Sequence, residues 1–179
     1  MRIDNERISH MHAVAEYMYN NAKYYGLEKD KEQLYVIGLV HDVGSLRDKT
    51  NHEENSADIL SKVQLDDKYI DIIKYHGSSP EQYCVDHNID ESEIPAELLL
   101  LWEADLHTGP NGEYMSFDER IQEMIKRHRE ILEKDYNYFD PHVLLCVNDD
   151  NMVTDIQYHS TYGNIAKSVV RLLRSRGHA

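Results

Sequence analysis

Cysteine is nearly missing from this chain. Cys84 and Cys146 are far apart and form no Cys-x-x-Cys spacing, and no export feature accompanies them, so a reducing compartment is the plain reading. Long hydrophobic runs are missing as well. No stretch approaches the roughly 18 apolar residues of a membrane span, and the opening Met1-Arg-Ile-Asp-Asn-Glu6 lacks the apolar core of a signal peptide. The expected location is the cytoplasm. Pro, Gly and Ser are nowhere dense enough to mark a linker, and no repeat is present. The 179 residues are therefore expected to form one domain, with a core over about 6–134 and a C-terminal helical extension over 135–179. Basic charge is scarce: 19 Lys and Arg stand against 33 Asp and Glu, for a net charge of −14. That balance excludes a nucleic-acid backbone or an anionic membrane surface as the main partner. A small phosphorylated substrate stays compatible, because metal ions can supply positive charge that side chains do not.

Against this background one stretch stands out, Leu34-Tyr-Val-Ile-Gly-Leu-Val-His41-Asp42-Val-Gly44. Tyr35 to Val40 has almost no polar face, which predicts a helix running through the middle of a core. It ends on adjacent His41 and Asp42. A buried carboxylate is tolerated only when paired, hydrogen-bonded or bound to a metal.

The remaining chain reads as helical. Ile8, Met11, Ala15, Met18, Ala22 and Tyr25 recur in steps of three and four, predicting a first helix over roughly 4–25 that stops at Gly26. Asp30 is expected to cap the second helix. Asn51, with Glu54 in a capping box, is expected to cap a third, whose inner face holds Ile59, Leu60 and Val63. A fourth helix is expected over 67–76, a loop over 80–91, a fifth helix from Ile94-Pro95 that breaks at Gly109-Pro110, and another over 117–134. Asp140-Pro141 reads as a cap followed by an N1 proline. The stretch after it fits either a helix or one arm of a hairpin, and a helix is the choice made. A final helix is expected over 164–174, followed by a frayed tail. The fold class is all-α, a compact single-domain bundle of about seven or eight helices.

Several polar residues interrupt the apolar faces. Arg7 falls inside the stripe of the first helix, while His10 and His12 flank it on opposite sides, and periodicity does not choose between them. Arg7 reads equally as a phosphate ligand and as half of a core-edge salt bridge. His76 continues the face of Tyr69, Ile72 and Ile73, and Asp105 that of Leu98, Leu101 and Trp102. His52 shares a face with Ser56 and Ile59. Each alone is more often structural. Together they are nitrogen and oxygen donors at the ends of buried faces, which helix ends can direct into one cleft, and the set suits Fe, Mn, Zn or Ni.

Arg7-Ile-Ser-His10, Gly38-Leu-Val-His41-Asp42-Val-Gly44 and Glu103-Ala-Asp105, in this order, resemble the HD superfamily of metal-dependent phosphohydrolases over roughly 6–107. The resemblance selects His10 over His12. It implies His10, His41, Asp42 and Asp105 as ligands of one ion, with His52 and His76 holding a second that Asp42 bridges. The implied cofactors are one or two divalent ions, Fe, Mn, Zn, Ni or Co, with Mg also compatible. Asp42 and Arg7 are the expected catalytic residues, and no proton donor is assigned. His107 lies off the Asp105 face. Ser45 follows Gly44 where many members carry a lysine. The layout of extra histidines is similar to that of small hydrolases acting on nucleotides or dinucleoside polyphosphates. The expected activity is hydrolysis of a small phosphorylated metabolite, with a nucleotide as the expected class and a homodimer allowed. A di-iron oxygenase of HD-like fold and a non-catalytic nucleotide-sensing module are the alternatives.

Overall fold

The segment Ala96–Leu106 is apolar on nearly every side, and the molecule is built around it. A helix without a polar face goes to the interior, and Leu98, Leu100, Leu101 and Trp102 are at most 2 % exposed. The computed structural model describes residues 5–47, 51–134, 143–147, 153–158 and 161–178. Among them the helices are α1 (Asn5–Asn21), α2 (Lys31–Val40), α3 (His52–Ser61), α4 (Asp67–Lys74), α5 (Pro80–His87), α6 (the central Ala96–Leu106), α7 (Phe117–Lys134) and α8 (Thr161–Ser175). The class is all-α as expected, with one two-stranded hairpin added. No helix among the described residues is long and apolar enough to cross a membrane.

The helix expected at the centre is instead one-sided. Leu34, Ile37 and Gly38 of α2 are buried, whereas Val36 is 46 % exposed. Leu34, Ile37, Gly38 and His41 form one stripe at i, i+3, i+4 and i+7, and this stripe lies against α1. Gly38 sets the distance of approach. A Cβ there would fall 2.6 Å from the Ala15 Cα and 2.8 Å from its nitrogen, so only glycine lets the two backbones meet. The apolar stripe of α1 also begins later than expected: Ile8 is exposed, and Val14, Ala15, Met18 and Ala22 are buried. Gly26 stops a 3-10 extension of α1 (Ala22–Tyr25) with φ 73°, as expected.

Capping differs from expectation. Neither Asp30 nor Asn51 accepts a side-chain bond, so the capping box at Glu54 does not form. Their ψ angles of 8° and 42° are far from the extended backbone that aims a cap at the first turn. Ser79, with ψ 155°, does cap: its hydroxyl accepts from the Gln82 amide at 3.2 Å, and Pro80 follows in the first turn. Residues 80–87 are thus helix α5 and not loop. Val63 is exposed, because α3 ends before it.

The helix expected after Asp140-Pro141 is a strand. Val143–Val147 (β1) pairs antiparallel with Val153–Tyr158 (β2), matching Val143 with Tyr158, Leu145 with Ile156 and Val147 with Val153. Both segments are rich in β-branched residues, whose preference for a pleated ladder outweighs the cap signal. The Asp140-Pro141 cap lies outside the described residues. Arg176 to His178 are not frayed. The His178 amide donates to the Leu173 carbonyl at 3.0 Å, and its ring stacks on Tyr25 with centroids 4.1 Å apart.

Candidate metal centre

Five elements deliver the polar side chains. His10 comes from the first half of α1, His41 and Asp42 from the end of α2, and His52 from the start of α3. His76 lies in the turn after α4, and Asp105 on the last turn of α6. Gly44 makes the close assembly feasible. A Cβ on it would collide with the His52 carbonyl and the Ser56 amide, and its own amide donates to the buried Ser56 hydroxyl at 2.8 Å. The turn after Asp42 is thereby pressed onto the first turn of α3, which brings His52 to Asp42.

The four imidazoles form a chain, with ring centroids 5.5 Å apart for His10 and His41, 5.0 Å for His41 and His76, and 5.3 Å for His52 and His76. In three of them Nδ1 faces a backbone carbonyl: Gly109 for His10 (3.0 Å), Gly38 for His41 (2.7 Å) and Ile73 for His76 (2.6 Å). A carbonyl only accepts, so Nδ1 carries the proton and Nε2 is turned inward as the donor atom for a cation. His52 uses a carboxylate in the same role, with Nδ1 3.3 Å from Glu53 Oε2.

Asp42 sits between two pairs of rings. Its Oδ1 is 3.2 Å from His52 Nε2 and 3.4 Å from His76 Nε2, while Oδ2 is 3.6 Å from His41 Nε2, 3.9 Å from His10 Nε2 and bonded by Arg7 Nη1. His10, His41 and Asp42 form one group of donor atoms within 4.8 Å of one another, and Asp42, His52 and His76 form another. His10 Nε2, His41 Nε2 and Asp42 Oδ1 are buried without a hydrogen-bond partner. Orphaned buried polar atoms are rare and costly, and these converge with the right chemistry for a divalent cation. Asp105 stands beside the first group. Its Oδ1 is 2.9 Å from His10 Nε2 and 3.8 Å from Arg120 Nη2, and it is not among the atoms of either group.

Electrostatics follow the same division. Burial pushes His41 down to about 4, against the pull of Asp42, and keeps it the neutral imidazole that a ligand must be. Burial also disfavours charge on His76, but the Asp42 carboxylate outweighs it and raises His76 to about 9. A cation at that position competes with a proton. Burial opposes ionisation of Asp42 and Asp105 too. His41, His76 and Arg7 nevertheless hold Asp42 well below the carboxylate range, and His10 and Arg120 do the same for Asp105.

Of the residues singled out in the sequence, Arg7, His10, His41, His52 and His76 meet around Asp42, and Asp105 joins them through His10. His12 points elsewhere, 3.3 Å from the Tyr35 hydroxyl. His107 is buried in an aromatic stack with Phe117 and bonds the Met115 carbonyl at 2.8 Å. Sequence reading missed Glu53 and Arg120. Glu53 was hidden as an ordinary first-turn acid beside His52. Arg120 begins the polar-looking face of α7, and no local pattern distinguishes it.

Compared with known proteins, the HD domain family model matches residues 7–109, more than half of the chain and the span from Arg7 to the carbonyl that fixes His10. No curated protein and no solved structure shows a match.

Proposed function

Because the chain belongs to the HD domain family, whose members are in general metal-dependent phosphohydrolases, we propose that it hydrolyses a phosphate ester or anhydride of a small metabolite, with a nucleotide as the expected class, at a two-cation centre bridged by Asp42. The observation that carries this is the division of the Asp42 carboxylate, one oxygen toward His52 and His76 and the other toward His10 and His41. A single-ion site has no use for the second pair of imidazoles.

His10 and His41 would hold the first ion, with Asp105 beside it, and His52 and His76 the second. Bound there, divalent cations supply Lewis acidity, acidifying water and offsetting charge on phosphoryl oxygens. The chain's own residues do the rest. The three backbone carbonyls fix His10, His41 and His76 in one tautomer and orientation, and Glu53 faces His52 Nδ1 in the same role, so the rings are oriented before a cation binds. Arg7, half-buried one turn before His10, offers a planar fork of donors for a phosphate oxygen. In a protein of net charge −14, this guanidinium beside the centre also makes the site locally attractive to an anion.

The test is a screen of phosphorylated metabolites with Mn, Co, Ni, Fe or Mg, reading released phosphate. Turnover with at least one nucleotide is expected. Asp42→Ala should abolish turnover and bound metal while leaving a helical spectrum, and Arg7→Ala should raise KM at unchanged metal content. Oxygen consumption with iron and no phosphate release from any compound would replace hydrolysis with oxygenase chemistry.

A further inference from the structure

Helix α7 lies beyond the matched span, yet it reaches the centre. Arg120, Glu123 and Arg127 are spaced i, i+3 and i+7 along it and so share a face. Arg120 is 4 % exposed, which is rare for an arginine unless its donors are all met. Here they are not. Nη1 meets Glu123 at 2.6 Å and Nη2 reaches only to 3.8 Å from Asp105, while Nε is buried without a partner. Arg127 meets the other oxygen of the same Glu123 at 3.2 Å. It is close enough to Arg120, Arg7 and Asp105 for their charges to act on it. Arg120 and Arg127 thus converge on the single carboxylate of Glu123 beside Asp105, which Arg120 also approaches, and Arg7 is bonded to the neighbouring Asp42. Guanidinium donors in a fixed fork match phosphate oxygens, and Arg120 keeps a buried N–H that no group among the described residues meets.

We propose that Arg120 and Arg127, with Arg7, form a second anion subsite beside the metal centre, which receives a phosphate other than the one held by the cations. The substrate class is then a compound with at least two phosphates, such as a nucleoside diphosphate or a larger polyphosphate. This rests on the phosphohydrolase reading above and adds a specificity determinant to it. Arg120 anchors the subsite from within, and Arg127, with its side chain 41 % exposed, presents it to the ligand.

The experiment is isothermal titration of the Mn-loaded full chain, at fixed free Mn, with inorganic phosphate and with pyrophosphate. Wild type is expected to bind pyrophosphate at least ~10-fold more tightly than phosphate. Arg127→Ala is expected to lose about that factor for pyrophosphate and almost nothing for phosphate, in keeping with one charge-assisted bidentate contact. Arg127→Lys should fall between the two, because it retains charge without the fork. Arg127 is exposed enough that its removal should leave the melting midpoint and metal content unchanged, which the same samples report. Equal affinity of wild type for the two anions overturns the proposal, as does an Arg127→Ala variant that loses both equally or neither. The two readings fail separately. Turnover of monophosphates alone, without pyrophosphate preference, sinks the subsite and leaves the hydrolase. An Arg127-dependent pyrophosphate preference in a protein that turns over no phosphorylated compound does the reverse.

Discussion

Replacing Gly38 by alanine separates two views of this fold. By helix propensity alone the change is favourable, since alanine in a helix interior is worth roughly 0.5–1 kcal/mol over glycine. The structure predicts the opposite. The new methyl would lie 2.6 Å from the Ala15 Cα, 2.8 Å from its nitrogen and 3.1 Å from the Val14 carbonyl carbon, all of them backbone atoms. Carbon atoms sit comfortably at about 3.5–4.0 Å. Helices α1 and α2 must therefore part by about 1 Å, and no side-chain rotation relieves it. Overpacking of this kind costs about 1–3 kcal/mol. After the propensity gain, a net loss of roughly 1–2 kcal/mol remains, and at 2–4 °C per kcal/mol for a chain of this length the melting midpoint should drop by about 2–8 °C. The same movement carries His10 and Arg7 away from His41 and Asp42, so metal affinity should fall more than stability does. Thermal unfolding by circular dichroism and metal titration on one sample read both. A Gly38→Ala protein that melts higher than wild type and binds metal equally well refutes the close-approach account.

Three further outcomes follow from particular contacts. In protein stripped of metal, His76, raised to about 9, contributes stability that is full below pH 6.5 and is lost as pH rises toward 9. His41, lowered to about 4, contributes stability that is present above pH 6.5 and is lost as pH falls toward 4. The melting midpoint in chelator should therefore peak near pH 6.5 and decline on both sides, and a flat profile from pH 4 to 9 would contradict these assignments. Glu53→Gln keeps the shape beside His52 but removes the charge behind its Nδ1. Affinity for the second ion should drop about 10–100-fold while the first binds normally, which a metal titration resolves as one tight site remaining, and two unchanged sites would count against the pairing. Ser56→Ala leaves the buried Gly44 amide without its acceptor and should cost about 1–3 kcal/mol in urea unfolding; a loss below about 0.5 kcal/mol would mean that the amide finds another partner.

How much of this was legible beforehand differs from element to element. The helices around the site were readable because their apolar residues keep helical period, and α7 falls where its periodicity places it, Phe117–Lys134. The site was readable because polar residues on buried faces have few explanations. His76 after Ile72 and Ile73, and Asp105 after Leu101 and Trp102, betray themselves by position. Proline-opened helices were read unevenly. A capping residue before proline occurs at Ser79-Pro80 and at Asp140-Pro141, yet helix follows the first and a strand follows soon after the second. The β-branched residues of 143–158 decide that difference, because pairing with a partner strand is a non-local gain that no cap records. The central position of α6 over α2 was similarly hidden. Both are apolar, and which one is surrounded depends on the other helices. Arg120 and Glu123 could not be found from sequence, since on α7 they resemble any solvated i, i+3 pair.

The central claim is that two cations flank the Asp42 carboxylate, and anomalous diffraction from crystals grown with Mn addresses it most directly. Two peaks are expected about 3.5–4 Å apart on opposite sides of Asp42. One should lie about 2.0–2.3 Å from the Nε2 atoms of His10 and His41, and the other at similar distances from those of His52 and His76. No peak at Asp42, or metal bound only at surface carboxylates away from these four imidazoles, would contradict it.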